Sequence, residues 1–338
     1  MKAKGNKMLK HNEQAMIIVT GGAGFIGSNI IRSLNQRGET NILVVDDLSD
    51  GLKFKNLVDC DIADYLDKDD FIERIKNNES FGEVRALFHQ GACTDTTEWD
   101  GKMMMRNNYE YSKLLLHYCN QHKIAFLYAS SAAVYGSSKV FKEKKQYEEP
   151  LNIYAYSKLQ FDTYLRSVIE QLDIQAVGFR YFNVYGPGEQ HKGSMSSVAF
   201  NFNKQVTEQG ICHLFAGNDS FRNGEQRRDF ISVLDVVKVN LWFMDNPKKS
   251  GIFNIGTGKS RTFNDLANIV LNYHETGKLG YIPFPDHLKG AYQSSTQADI
   301  SSLRAAGYQP SFTSLEDGIK VYLDYINKNI IPKFDTGA

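Results

Sequence analysis

Short apolar runs with no polar alternation recur along the chain: MIIVT (Met16 to Thr20), NILVVD (Asn41 to Asp46), Arg85 to His89, AFLYAS (Ala125 to Ser130), QAVGFRY (Gln175 to Tyr181) and GIFNIG (Gly251 to Gly256). Runs of this kind suit strands covered on both faces. Between them the period changes. Ile26, Ile30, Ile31 and Leu34 recur at helical spacing from Phe25 to Gln36, and Gly38 supplies the left-handed stop. Asp67 to Asn77 predicts a short amphipathic helix with Phe71 and Ile75 inward, and further helices are expected from about Glu98 to His122 and about Tyr154 to Gln171. The alternation predicts an α/β fold, a Rossmann-type doubly wound parallel sheet with helices on both faces.

After Pro187 the rhythm loosens. Residues 188–228 and 259–330 are expected to form a second, smaller α+β lobe that binds the substrate. Asp229 to Asn246 reads as a strand followed by a helix, so 229–258 is expected to return to the dinucleotide-binding domain of residues 16–187. Residues 1–15 carry four lysines without the apolar stretch of a secretory signal and are expected to be a disordered leader.

Composition narrows the function. With 42% apolar and 23% charged residues, the chain is neither disordered nor fibrous. Its 39 basic and 39 acidic side chains cancel, which argues against a nucleic-acid partner. The four cysteines (Cys60, Cys93, Cys119, Cys212) form no CxxC pair and no His cluster accompanies them, so no metal site and no disulfide framework is expected. Reduced thiols suit a cytoplasmic protein. No apolar run approaches the ~20 residues that span a bilayer, so no membrane partner is expected.

Gly21, Gly24 and Gly27 lie between the first strand and the first helix, where backbone N–H groups and the helix dipole face a pyrophosphate. A glycine triplet alone marks only a tight turn. Here Asp46 ends the next strand at about the ~20-residue distance of a ribose contact, which points to a dinucleotide cofactor. Asp46 and Asp47 would repel a 2′-phosphate and Lys53 and Lys68 would attract one, so NADP and NAD both remain open.

A phenol of reference pKa ~10 becomes a usable base when an ammonium stands beside it. Tyr with Lys four residues later supplies the pair on one helix face, at Tyr109/Lys113 and again at Tyr154/Lys158. Active sites of open parallel sheets gather at the carboxyl ends of strands. Ser131 lies at such an end and Tyr154 opens the following helix, so Tyr154, Lys158 and Ser131 are taken as catalytic and Tyr109/Lys113 as structural.

The motifs TGGAGFIG, SSAAVYG, YAYSK and RYFNVYGP resemble the extended short-chain dehydrogenase/reductases that act on nucleotide sugars, the NAD(P)-dependent epimerases and dehydratases. TTEWDGK (Thr96 to Lys102), QHKGSMSSVAF (Gln190 to Phe200), RRDF, IFNIGTG and YIPFPDHLKGAYQSSTQAD are similar to its branch that inverts C6″ of an ADP-linked heptose for lipopolysaccharide core. The resemblance implies a C6″ epimerase working by transient oxidation to a 6-keto intermediate with tightly bound NADP, assembled as a homopentamer. It implies a second acid/base group at Lys192. It places Phe25 and Ile26 on the pyrophosphate loop, Asp46, Asp47, Lys53 and Lys68 at the adenosine end, and Gln90, Gly91, Ala92, Cys93, Thr94 and Asn107 along the cofactor, with Lys158 on the nicotinamide ribose. The ADP-heptose substrate would meet Asn183, Val184, Ser194, Asn201, Phe215, Ala216, Gly217, Asn218, Arg228 and Tyr292. Asp47 and Asn201 stand where the family carries asparagine and histidine.

A 4,6-dehydratase on the same scaffold needs an Asp-Glu pair after the active-site hydroxyl residue, and here Ala132 and Ala133 follow Ser131. A UDP-hexose 4-epimerase shares the redox logic and is the alternative enzyme. A non-catalytic dinucleotide-binding protein would keep the glycine loop but break the Ser/Tyr/Lys set, which is intact.

Overall fold

The computed structural model describes residues 15–217, 221–285 and 293–333. In chain order the strands are β1 (Met16–Thr20), β2 (Ile42–Asp46), β3 (Asp64–Asp67), β4 (Val84–His89), β5 (Ala125–Ser131), β6 (Ala176–Tyr181), β7 (Asn183–Tyr185), β8 (Ile211–Phe215), β9 (Arg227–Arg228), β10 (Phe230–Ser232), β11 (Gly251–Ile255), β12 (Arg261–Thr262) and β13 (Lys278–Ile282). The α-helices are α1 (Phe25–Gln36), α2 (Lys68–Lys76), α3 (Gly101–Met104), α4 (Tyr111–His122), α5 (Ile153–Val168), α6 (Val198–Gln209), α7 (Val233–Asp245), α8 (Phe263–His274), α9 (Ser301–Ala306) and α10 (Leu315–Lys328). Seven strands form one parallel sheet in the order β11-β6-β5-β4-β1-β2-β3.

The continuous apolar runs are explained by this sheet. Ile17 and Val19 of β1 pack with Ile30, Ile31 and Leu34 of α1 and with α7, whereas Ile18 points to the opposite face with Phe71, Leu116 and Phe161 of α2, α4 and α5. Successive strand side chains alternate faces, so a strand covered twice has no solvent side. Each such buried side chain contributes roughly 1.5–3 kcal/mol. A third apolar cluster joins Phe202 and Val206 of α6, Leu214 of β8, Leu266 and Val270 of α8 and Ile319 of α10. Beneath it β8 and β13 pair in parallel. α9 departs from the expected division, because Leu303 and the nearby Tyr308 pack in the core of the large sheet although they fall within 259–330.

The helix expected over about Glu98 to His122 is present from Gly101 to His122, but its middle is not α-helical. α3 passes into a π-helical turn over Met105–Glu110 before α4 begins. The turn carries buried Asn108, whose side chain accepts from Cys93 N and donates to Cys93 O, both at 2.9 Å. An extra residue in the turn aims a side chain that a regular helix would direct elsewhere.

An arginine inside the apolar run of β6 requires a partner, and Arg180, fully buried, has several. Its Nε donates to Asp162 Oδ2 at 2.8 Å and its Nη2 to Glu148 Oε1 at 2.6 Å, while the guanidinium lies 4.9 Å from the centre of the Tyr135 ring. Gly178, opposite Tyr128 on the neighbouring strand, gives this cluster room, since a Cβ there would fall 2.4 Å from the Tyr128 hydroxyl. Arg180→Met is expected to destabilise the protein by about 3–5 kcal/mol, the cost of leaving buried carboxylates without their cation. A urea melt checks it, and an unchanged midpoint would contradict the network's role.

Candidate functional site

The strand order reverses between β1 and β4, and ligands of open parallel sheets bind where such a reversal parts the loops. A cleft of about 380 Å³ opens there. One wall is the glycine loop. Gly21 has φ +66°, and a Cβ on it would stand 2.5 Å from Gly91 N. A Cβ on Gly27 would stand 2.2 Å from the Gly21 carbonyl, so α1 packs onto the loop only because that side chain is missing. α1 starts at Gly24 with no side-chain cap and no acidic residue in its first turn. Its first-turn N–H groups and positive dipole end, beside a wall made of Gly21, Gly24, Phe25, Ile26 and Gly27, fit a pyrophosphate.

Asp46, Asp47, Lys53 and Lys68 line the far end of the cleft. The buried Asp46 carboxylate accepts from Ala23 N at 2.8 Å, from Asp47 N at 2.7 Å and from Lys53 Nζ at 2.7 Å, so it also fastens the glycine loop to β2. Lys53 donates further to Asp47 O at 2.7 Å. Lys68 lies 3.5 Å from Asp47 and 3.0 Å from Asp69. Hydrogen bonds from Ser49 hold the Asp47 carboxyl below its usual range, with Lys68 and Lys53 assisting.

Gln90, Gly91, Ala92, Cys93, Thr94 and Asn107 form the other wall. Behind it runs a buried polar chain. His89 bonds Thr20 Oγ1 at 2.6 Å and Ser112 Oγ at 2.9 Å, and Ser112 donates to Asn108 O at 2.6 Å. Asn108 Nδ2 donates to Ser157 Oγ at 3.0 Å, and Ser157 donates to Tyr154 O at 2.7 Å. The chain ties this wall of the cleft to α5. Burial, aided by Lys158, pushes His89 down to about 3, so it is neutral near pH 7. Sequence reasoning missed His89, Asn108 and the lining residues Thr20, Val45, Tyr111 and His191. The adjacency of His191 to Lys192 was a usable signal; the others depend on strand register and on the π turn.

At the end of β5, Ser131 Oγ accepts from Ala133 N at 3.1 Å. α5 opens under an Asn152 cap that accepts from Ala155 N at 2.8 Å, which sets Tyr154 in the first turn beside Ser131. Burial pushes the Tyr154 phenol up, and its hydrogen bond with Ser131 opposes that shift. Lys158, 5% exposed, donates from Nζ to Ala129 O at 2.9 Å. Burial lowers it to about 8 against the pull of Asp162. Lys192 belongs to the turn Gln190–Met195, where it lines the cleft with Nζ 5.4 Å from the centre of the Phe25 ring. Burial lowers its pKa and Glu189 partly restores it. Ser131, Tyr154 and Lys158 are not among the lining of that cleft; they form a separate cluster joined to it through Asn108 and Ser157. The other Tyr-Lys pair is used in packing, with Lys113 Nζ 4.8 Å from the Tyr109 ring centre and 5.1 Å from that of Tyr164.

The expected substrate residues are spread over several elements. Asn183 and Val184 lie on β7, paired with Phe230 and Ile231 of β10, and Ser194 is exposed in the turn that carries Lys192. Asn201 of α6 donates to Ser196 O at 3.3 Å. Phe215 ends β8 with its ring 5.5 Å from that of Phe284, followed by Ala216, which donates to Ile282 O, and Gly217, which donates to Asn223 Oδ1. Arg228 lies on β9, its guanidinium 5.5 Å from the Phe263 ring centre. The neighbouring Asp229 carboxylate accepts from Thr257, Gly258 and Ala298. Asn218 and Tyr292 fall outside the described residues.

A glycine-walled cleft at the switch point beside a Ser/Tyr/Lys cluster defines a nicotinamide-dependent enzyme of the short-chain dehydrogenase type. Residues 17–256 match the NAD dependent epimerase/dehydratase family, and the chain belongs to it. It is 57% identical over 311 residues, 92% of this chain and 97% of the relative, to ADP-L-glycero-D-manno-heptose-6-epimerase of Alkalilimnicola ehrlichii. Among solved structures it is similar to ADP-L-glycero-D-manno-heptose-6-epimerase of Helicobacter pylori, with TM-score 0.79, 32% identity, and 93% of this chain and 96% of that one covered. It also resembles UDP-N-acetylglucosamine 4-epimerase of Methanobrevibacter ruminantium in complex with UDP-N-acetylmuramic acid, with TM-score 0.80, 25% identity, and 94% and 100% coverage. Among the described residues no helix is long and apolar enough to cross a membrane.

Proposed function

We propose that this protein inverts C6″ of ADP-D-glycero-D-manno-heptose to give ADP-L-glycero-D-manno-heptose, the heptose donor for lipopolysaccharide inner core. The likeness to the Alkalilimnicola epimerase along nearly the whole chain carries this reading. The carbon concerned is a secondary alcohol with no neighbouring carbonyl, so its C–H is too weakly acidic for direct deprotonation. Oxidation to a 6-keto sugar, turning of the side chain and reduction from the other face achieve the inversion. A bound nicotinamide dinucleotide supplies the reversible hydride acceptor. This chain's own residues handle the proton. Tyr154 and Lys192 take and return it in the two orientations of the oxygen, Ser131 holds that oxygen, and the Lys158 ammonium favours the Tyr154 phenolate. Burial lowers the pKa of Lys192 and so favours the neutral amine that a base requires.

Residues 16–187 with 229–258 carry the cofactor in this reading, and 188–228 with most of 259–330 choose the sugar. The assembly is a cytoplasmic homopentamer, and light scattering on the purified protein tests its size. Incubation with ADP-D-glycero-D-manno-heptose, with the epimers resolved, tests the reaction. Turnover of UDP-galactose in its place would establish a 4-epimerase, and no turnover with cofactor present would leave a binding protein.

The cofactor is NADP. Lys53 and Lys68 stand around Asp47 and offset its charge at the adenosine end. Lys53→Ala is expected to weaken NADP about tenfold or more, since a charge-assisted bond contributes ~1.5–3 kcal/mol, and to weaken NAD much less. Binding titrations of both dinucleotides check this. Equal losses would count against a 2′-phosphate at Lys53.

A further inference from the structure

Tyr154, Lys158 and Asp162 follow one another at four-residue steps on α5 and so share one helix face. That face descends β5 rung by rung. Tyr154 stands at the strand's end, where Ser131 acts on its phenol, and Lys158 Nζ donates to Ala129 O at 2.9 Å. Asp162 accepts from Tyr128 at 2.7 Å and from Ser130 at 2.9 Å, and from Arg180 Nε on β6 at 2.8 Å. Two of these residues have roles in the proposed chemistry. The third is a fully buried carboxylate that the chemistry leaves unused.

The surroundings of Lys158 give that carboxylate a task. Burial works against an ammonium at this position. The groups acting on it are Asp162 from its own helix, the Cys93 thiol of the cofactor wall and the neutral His89 of β4. Arg180 bridges Asp162 and Glu148, and Arg166 grips Glu148 through two bonds of 2.8 and 2.6 Å. The Asp162 carboxylate, one turn along the helix, pulls the Lys158 pKa upward against burial.

We propose that Asp162 is a positioning residue for proton transfer: clamped to β5 and β6, it keeps Lys158 in its ammonium form and fixes the rotation of α5 that brings Tyr154 to Ser131. This deepens the function proposed above for Tyr154 and Lys158 and rests on it.

The test has two independent readouts. The first is the pH profile of epimerisation. A carboxylate stabilises the protonated lysine, so its removal lowers the lysine's pKa and draws the alkaline limb of kcat to lower pH. Asp162→Asn is expected to move that limb down by about one pH unit or more while KM changes little, because Asp162 does not reach the sugar. Tyr128→Phe keeps the charge and removes one hydrogen bond, and should leave the limb in place. If the limb of Asp162→Asn does not move, or if Tyr128→Phe moves it equally, the proposal fails.

The second readout does not need turnover. In the unaltered protein the side-chain NMR signal of Lys158, assigned by its loss in Lys158→Arg, should titrate near 8. Titration below 7 would show that the carboxylate does not hold the proton, and it would overturn the proposal even if Asp162→Asn failed to fold. A wild-type protein that epimerises nothing would sink the assigned reaction, while the downward shift of the Lys158 titration in Asp162→Asn, or its absence, would still decide the role of Asp162.

Discussion

Replacing Tyr154 by Phe is expected to lower kcat for heptose epimerisation by about 10²–10⁴-fold, the range of a lost general acid/base. The ring stays in the first turn of α5 under the Asn152 cap, and Ser157 donates to the backbone oxygen of Tyr154, so neither contact needs the phenol. Cofactor retention and the melting temperature should therefore remain near wild type while turnover collapses. Lys192 does not substitute for the phenol. It lines the cleft beside Phe25, and in the proposed reaction it meets the oxygen only in the other orientation. Initial rates in both directions, with the epimers resolved, check this. Undiminished epimerisation would remove Tyr154 from the mechanism.

Gly27→Ala should have the largest effect on cofactor binding. The new methyl would stand 2.2 Å from the Gly21 carbonyl oxygen and 2.9 Å from the Gly22 Cα, and both neighbours are backbone. Neither can rotate away as a flexible side chain would, so α1 must lift or the loop must open. Ala23 N is bonded to Asp46, and Asp46 to Lys53, so the displacement reaches the adenosine end as well. We expect a loss of about 1–3 kcal/mol or more from overpacking, and protein that purifies without its dinucleotide. The ratio of absorbance at 260 and 280 nm and a thermal melt report the two effects. Gly51→Ala is the control, since nothing lies within 4 Å of a Cβ there and its φ is not positive. A Gly27→Ala protein that keeps its cofactor and its melting point would show that the loop tolerates the methyl.

The strands of the large sheet were legible where their side chains are buried on both faces, since β1 and β5 open on the apolar runs Met16 to Val19 and Ala125 to Ala129. β3 was not. Its sequence DYLD has acids at both ends and lies at the sheet's edge, with Asp64 exposed and Tyr65, Leu66 and Asp67 half-buried, so no period distinguishes it from a loop. The π turn was hidden for a different reason. Met105–Glu110 has helical composition, and its departure from a regular helix is tied to Asn108 reaching Cys93, a contact set by tertiary structure. The glycine loop could be read because strand, glycine and helix follow one another locally. The grip of Asp46 on Ala23 could not, because it depends on the register of β1 against β2. Arg180 did leave a trace, as a charge in the middle of an apolar run, but its partners lie on α5 and on the loop before it.

The placement of β11 has a consequence for biosynthesis. Gly251–Ile255 pairs with β6, whose residues are all buried, yet the ribosome delivers it only after making residues 182–250. During that interval the growing chain carries an unprotected, largely apolar strand edge, open to pairing with another nascent chain. Slow translation past Tyr181 should therefore promote aggregation, and shortened chains ending before Gly251 should depend on chaperones for solubility.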